Sequence, residues 1–200
     1  MASAAAGRRD PARGDARRNR RKLLEAAGEA LRSAPDSVTI VAVARAAGLS
    51  PATAYRHFPS LDDLTAAYLL DVVLALGEYS DGCSEHGSAL VGLVVQKWGA
   101  LVARHGAAMV QLRSRRGFLE RLRDDDPVIL AVHDAWQRPV RELMVAYGKP
   151  SALFLPALML CNMIFDPREI LDLIDHGAPI EQALGLLTGA YDAALRSLHA

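Results

Sequence analysis

Cysteine is scarce in this chain: Cys83 and Cys161 are the only two in 200 residues. Two cysteines exclude a disulfide framework and fit a reducing, cytoplasmic compartment. Long apolar runs are missing as well. The longest, Ala152 to Phe165, is interrupted by Pro156 and Asn162 and is too short to span a bilayer, so no membrane partner is expected. The N-terminus lacks the apolar core of about 7–15 residues that a secretory signal needs. Net charge is zero, which taken alone argues against a nucleic-acid partner. There is no serine elbow, no H-E-x-x-H, no phosphate-binding glycine loop and no carboxylate pair in an apolar setting, which argues against an enzyme. Cys83-Ser-Glu-His86, with Asp81 and Glu85 nearby, offers too few well-spaced soft ligands for a closed zinc site. No metal or cofactor is expected.

What remains is a globular chain, 51% apolar, long enough for one or two domains. Its charge is unevenly placed. Residues 1–60 hold eleven Arg or Lys against five Asp or Glu, and residues 61–200 hold twelve against eighteen. A basic head on an acidic body reopens the case for DNA.

The periodicity is helical throughout, and the expected class is all-α. Residues 1–16 read as a disordered basic arm. A first helix is expected near Arg17 to Ser33, with Leu23, Ala27 and Leu31 on one face, ended by Pro35-Asp36-Ser37. Thr39 caps a second helix that buries Val43, Ala44 and Ala47. Ser60, with Asp63 three residues on, opens a fourth helix by a capping box, running to about Gly77. Farther along, helices are expected at Ser88 to His105, stopped by Gly106, and from Asp126-Pro127 toward Tyr147. Three more are expected at Ser151 to Phe165, from Asp166-Pro167 to Asp175, and from Pro179 to Leu198. Pro139 and Pro156 should kink or break the helices that contain them.

The stretch Thr39 to Phe58, TIVAVARAAGLSPATAYRHF, is the most informative. Gly48 suits the left-handed residue of a tight inter-helix turn. Ser50 supplies an N-cap oxygen and Pro51 the first helical position, where a missing N–H costs nothing. This is a helix-turn-helix pattern. Val43-Ala44, Ala46-Ala47-Gly48-Leu49-Ser50 and Tyr55-Arg56-His57-Phe58 resemble the N-terminal domain of TetR-type transcriptional regulators. The likeness extends back to Arg20–Ala27 and forward to Ser60–Leu64, covering roughly residues 17 to 70.

That resemblance implies a DNA-binding head over 17–65 and a helical ligand-binding and dimerisation body over 66–200. Its implied function is a repressor that leaves double-stranded operator DNA when a small-molecule effector binds. Pro51, Ala52 and Thr53 would enter the major groove with Arg56, the one side chain there able to read guanine bidentately. Tyr55 and His57 match positions that touch phosphate, and Thr39 and Ser50 sit at helix N-termini suited to anions. Arg17 and Arg18, with Arg13, Arg20 and Arg21, would add grip. They would offset the loss of a lysine that the family commonly places where this chain has Leu61. Phe58 is read as core.

In the body, Gly185, Gly189 and Ala193 form a flat stripe on the last helix, for a homodimer interface or for packing within the chain. Trp98, Met109, Leu112, Phe118, Trp136, Met144 and Phe165 either line an apolar cavity or fill the core. His105, His133 and Asn162 are candidate polar anchors, and Pro139 would free a carbonyl for a ligand. Arg113, Arg115, Arg116, Arg121 and Arg123 are read as surface paired with the acids that follow. Sequence-tolerant architectural DNA binding without a ligand stays open as the alternative.

Overall fold

Helix starts in this chain are fixed by local chemistry, and the fold is a succession of them. The computed structural model describes residues 11–111 and 116–199, with side chains from residue 14 onward. Contacts divide the chain into two units, meeting between Tyr68 and Leu69. No strand occurs among the described residues.

The first unit is built on α1 (Pro11–Ser33), α2 (Ile40–Ala46), α3 (Pro51–His57) and the start of α4 (Leu61–Gly82). α1 begins six residues before the expected Arg17. Proline is tolerated in the first turn, and Ala12, Arg13, Ala16 and Arg17 are good helix formers, so the basic segment continues the helix. The expected disordered arm is thus corrected over residues 11–16, while residues 1–10 lie outside the described residues. Leu23, Ala27, Leu31, Val43, Ala44 and Leu64 are buried to within about 1% and form the head core with Ala54 and Phe58. Ala47, expected in that core, is only half-buried. Gly28 lets Tyr68 of α4 lie on α1, since a Cβ there would come within 2.6 Å of the tyrosine ring.

At the head of α4 the capping box forms reciprocally. Ser60 N–H donates to Asp63 Oδ2 and Asp63 N–H to Ser60 Oγ, both at 3.0 Å. The helix then runs five residues past the expected end.

The second unit contains the rest of α4, α5 (Gly87–Gln111), α6 (Phe118–Arg123), α7 (Pro127–Ala146), α8 (Phe154–Ile164), α9 (Pro167–Asp175) and α10 (Ile180–Ser197). α5 is the central buried helix, with Leu90, Val94 and Val102 fully enclosed. It does not stop at Gly106. That glycine is buried where Leu171 of α9 crosses; a Cβ would stand 2.8 Å from Leu171 Cδ1, so the residue serves close approach. α7 starts on Asp126, which accepts from the N–H groups of Val128 and Ile129. It continues through the buried Pro139, so the expected break does not occur. Pro156 does not break its helix either. A 3₁₀ turn at Ser151–Leu153 comes first and α8 starts at Phe154. Pro156 therefore falls in the first turn, where no N–H partner is missed.

Arg138 ties the α4–α5 connection to α7. It donates to the carbonyls of Ser80 (2.6 Å), Cys83 (3.1 Å) and Glu85 (3.1 Å), and its Nε–H to Glu142 (2.9 Å). Glu142 also accepts from Gly87 N–H and pairs with His86. Cys83 bonds the Tyr79 carbonyl. His86 and Cys83, the two soft ligands of the candidate metal segment, thus engage separate partners.

Candidate nucleic-acid interface and body cavity

The turn between α2 and α3 is closed by Leu49 N–H on Ala44 O (2.9 Å) and Gly48 N–H on Arg45 O (3.1 Å). Gly48 has φ +68°, and a Cβ there would meet nothing within 4 Å, so conformation alone requires glycine. Ser50 is extended and its Oγ accepts from Thr53 N–H, with Pro51 at the first helical position. Within α3 only Ala54 is buried, and Phe58 follows it into the core. Two anchors therefore hold the helix and leave Pro51, Ala52, Tyr55 and Arg56 exposed, with Thr53 and His57 half-buried.

A short polar chain runs along that face. Ser50 Oγ lies 2.9 Å from Thr53 Oγ1, which accepts from an Arg56 Nη–H at 3.1 Å. Thr39 is committed to capping α2, accepting from Ala42 N–H at 3.1 Å. The arginines of α1 divide. Arg17 is exposed with no acidic partner among the described residues. Arg18 pairs with Asp15 and Arg21 with Glu25. Arg20 lies over the Phe58 ring, 4.7 Å from its centroid, and so supports the core. Arg13's side chain lies outside the described residues. Arg45, exposed on α2 and also without an acidic partner among the described residues, escaped the sequence reading. Its signal was a lone cation on the helix preceding Gly48.

The second unit holds a partly open cavity of about 530 Å³. Trp98, Met109, Phe118, Trp136, Asn162 and Phe165 line it. His105 and His133 do not. His133 bonds Asp134 at 2.9 Å and stands edge-on to Phe154, while His105 is half-buried away from the wall. Pro139 is also off the wall, and Met144 is buried in the core and not on it. Leu112 lies outside the described residues, as do Arg113 and Arg115. Missed by the sequence reading were Leu69 and Val73 of α4 and Val128, Ile129 and Val132 of α7. The α7 residues recur with Trp136 at helical spacing, which puts them on one face. Cys161 contributes to the wall, and burial pushes its thiol far up, so it stays protonated.

Charged groups on the wall are paired. Arg116 holds Glu120 and Asp124, Arg121 holds Asp126 (2.9 Å), and Arg168 lies 3.6 Å from Asp166. Burial alone would raise Asp126; the Arg121 hydrogen bond and the N–H groups of Ile129 and Val128 outweigh it and hold the carboxyl below its usual range.

Gly185, Gly189 and Ala193 are exposed on α10, and a Cβ on either glycine would meet nothing within 4 Å. α10 buries its opposite face through Ala183, Leu184, Tyr191 and Leu195. The packing alternative for the stripe is therefore overturned among the described residues. Leu186 (61% exposed) and Met163 of α8 (63%) are bare as well.

This geometry defines a helix-turn-helix DNA-binding unit followed by an all-helical one. The family model described as "Bacterial regulatory proteins, tetR family" matches residues 23–68. A TetR transcriptional regulator from Rhodococcus sp. RHA1 is 25% identical, with a TM-score of 0.65 over 92% of this chain and 100% of its own. The TetR-like transcriptional regulator LfrR from Mycobacterium smegmatis, solved in complex with proflavine, is 19% identical, with a TM-score of 0.53 over 92% and 98%. No curated protein matches the chain. Residues 23–68 thus match the tetR-family model, and the chain as a whole is similar in fold to TetR-type transcriptional regulators.

Proposed function

We propose that the protein is a cytoplasmic, homodimeric repressor that occupies an operator and leaves it when a small, mostly apolar ligand enters the body cavity. The observation that carries the DNA part is the presentation of α3, anchored by Ala54 and Phe58, with Pro51, Ala52, Tyr55 and Arg56 exposed and Thr53 and His57 half-buried. Pro51 and Ala52 would contact thymine methyls, and Arg56 guanine. Tyr55, His57 and Arg17 would take phosphates, with the capped N-termini at Thr39 and Ser50 adding N–H groups. Thr53 steers Arg56 in this reading, and Arg45 joins the phosphate contacts.

A second copy would cover the bare stripe of α10 with Met163 and Leu155 of α8, in keeping with the paired half-sites that helix-turn-helix proteins usually bind. The aromatic-lined cavity supports a ligand, and a protein of the same fold holds proflavine. Repression, rather than activation, follows the family likeness.

Selection from randomised duplexes at fixed salt tests this. A palindrome with half-sites one helical turn apart, or a multiple, supports a dimeric specific regulator. Binding without an enriched sequence rejects it in favour of an architectural role.

A further inference from the structure

We infer that the body cavity takes a neutral, planar aromatic molecule bearing one hydrogen-bonding group, which Asn162 receives. The inference rests on the proposal that the second unit senses a ligand.

The wall is flat and rigid on one side. Trp136 and Phe165 are within 6° of parallel with centroids 5.6 Å apart, and Trp98 stands edge-on to Trp136. Trp98 Nε1–H donates to the Phe165 backbone carbonyl at 2.9 Å, which fixes the Trp98 ring. Rings held this way meet a flat ligand with little further loss of freedom. The volume lies within the range that holds drug-sized molecules, about 300–1,000 Å³.

Asn162 is half-buried on the same wall, and its side chain makes no hydrogen bond to any described residue. Its amide offers two donors and an acceptor, and a pure hydrocarbon would cover it without satisfying it. A ligand carbonyl or N–H would meet it. The charged members of the wall favour neither sign. Arg116, Arg121 and Arg168 each face a carboxylate, and Asp166 also accepts from Arg168 N–H at 2.9 Å. An ionic ligand would leave water to meet countercharges already engaged.

Trp98 and Trp136 are the chain's only tryptophans, and both line the cavity, so quenching of intrinsic fluorescence reports its occupancy. Three tricyclic probes separate the cases: acridone (neutral, one N–H and one carbonyl), anthracene (hydrocarbon) and proflavine (cation). Acridone is expected to bind at least roughly tenfold tighter than proflavine. Asn162→Leu is expected to weaken acridone roughly tenfold and leave anthracene unchanged. Asn162→Asp, which adds an unpaired anion, is expected to turn the preference toward proflavine. Circular dichroism confirms that both variants fold. Proflavine binding tighter than acridone to the wild type, or unaltered acridone affinity in Asn162→Leu, overturns the inference. If no probe binds but a small molecule of another class frees the operator complex, this ligand class is wrong and the sensor proposal stands. If no small molecule frees it, the sensor proposal fails too.

Discussion

Replacing Arg138 with alanine should cost the second unit about 2–3 kcal/mol of stability. Arg138 supplies three hydrogen bonds of 2.6–3.1 Å to carbonyls at the end of α4 and in the α4–α5 connection and a fourth to Glu142, besides a longer one to the Asp81 carbonyl at 3.4 Å. A charged hydrogen bond is worth about 1.5–3 kcal/mol when its partners are left unmet. The four cannot be summed, because the side chain is 27% exposed and freed carbonyls at the connection regain water. Two uncompensated bonds' worth is the defensible magnitude. Trp98 and Trp136 both lie in the body core, so urea unfolding followed by their fluorescence reads this unit. With a slope of about 2 kcal/mol/M, the midpoint should fall by about 1 M. Arg138→Lys should recover less than half of the loss, since an ammonium cannot fork across separated carbonyls. An alanine variant within about 0.5 kcal/mol of the wild type, the range of an ordinary surface substitution, would refute the clamp.

Other outcomes follow from neighbouring features. Glu142 is held below its usual range: burial alone would raise it, but hydrogen bonds from Arg138, Gly87 N–H and His86 prevail. A depressed carboxyl stabilises the fold above its unfolded value and loses that contribution as pH drops through its folded value. Urea midpoints should therefore fall as pH is lowered from about 5 toward 3, and less steeply in Glu142→Gln. Gly99→Ala should destabilise by about 1–2 kcal/mol despite the better helix former, because its Cβ would stand 2.3 Å from the buried Leu184 Cδ1. In a double-mutant cycle, Leu184→Ala should cancel most of that penalty. Leu186→Glu, on the bare face of α10, should turn the proposed dimer into a monomer by sedimentation while leaving the helical circular dichroism of the folded chain unchanged; an unaltered dimer would place the interface elsewhere.

Sequence disclosed what local chemistry decides. Ser50-Pro51, Thr39, Asp126-Pro127 and Asp166-Pro167 all start helices where a cap oxygen or a fixed φ says they should. It failed where a distant partner decides. Gly106 reads as a stop and serves as a groove for Leu171, sixty-five residues on. Pro156 reads as an interior break until the 3₁₀ turn before it is known. Trp98 and Asn162 reach the cavity wall while His105 and His133 do not, because which face of α5 or α7 meets the void depends on α4, α8 and α9. The short α6 had too few residues to show a period.

The most direct test of the central claim is anisotropy of full-length protein on a selected operator and on single-base variants of it, with wild type and Arg56→Ala compared at one salt concentration. If α3 reads the groove, Arg56→Ala should lose about 1–3 kcal/mol of discrimination at one G·C pair while keeping its affinity for random duplex. Undiminished discrimination at every position would contradict the account.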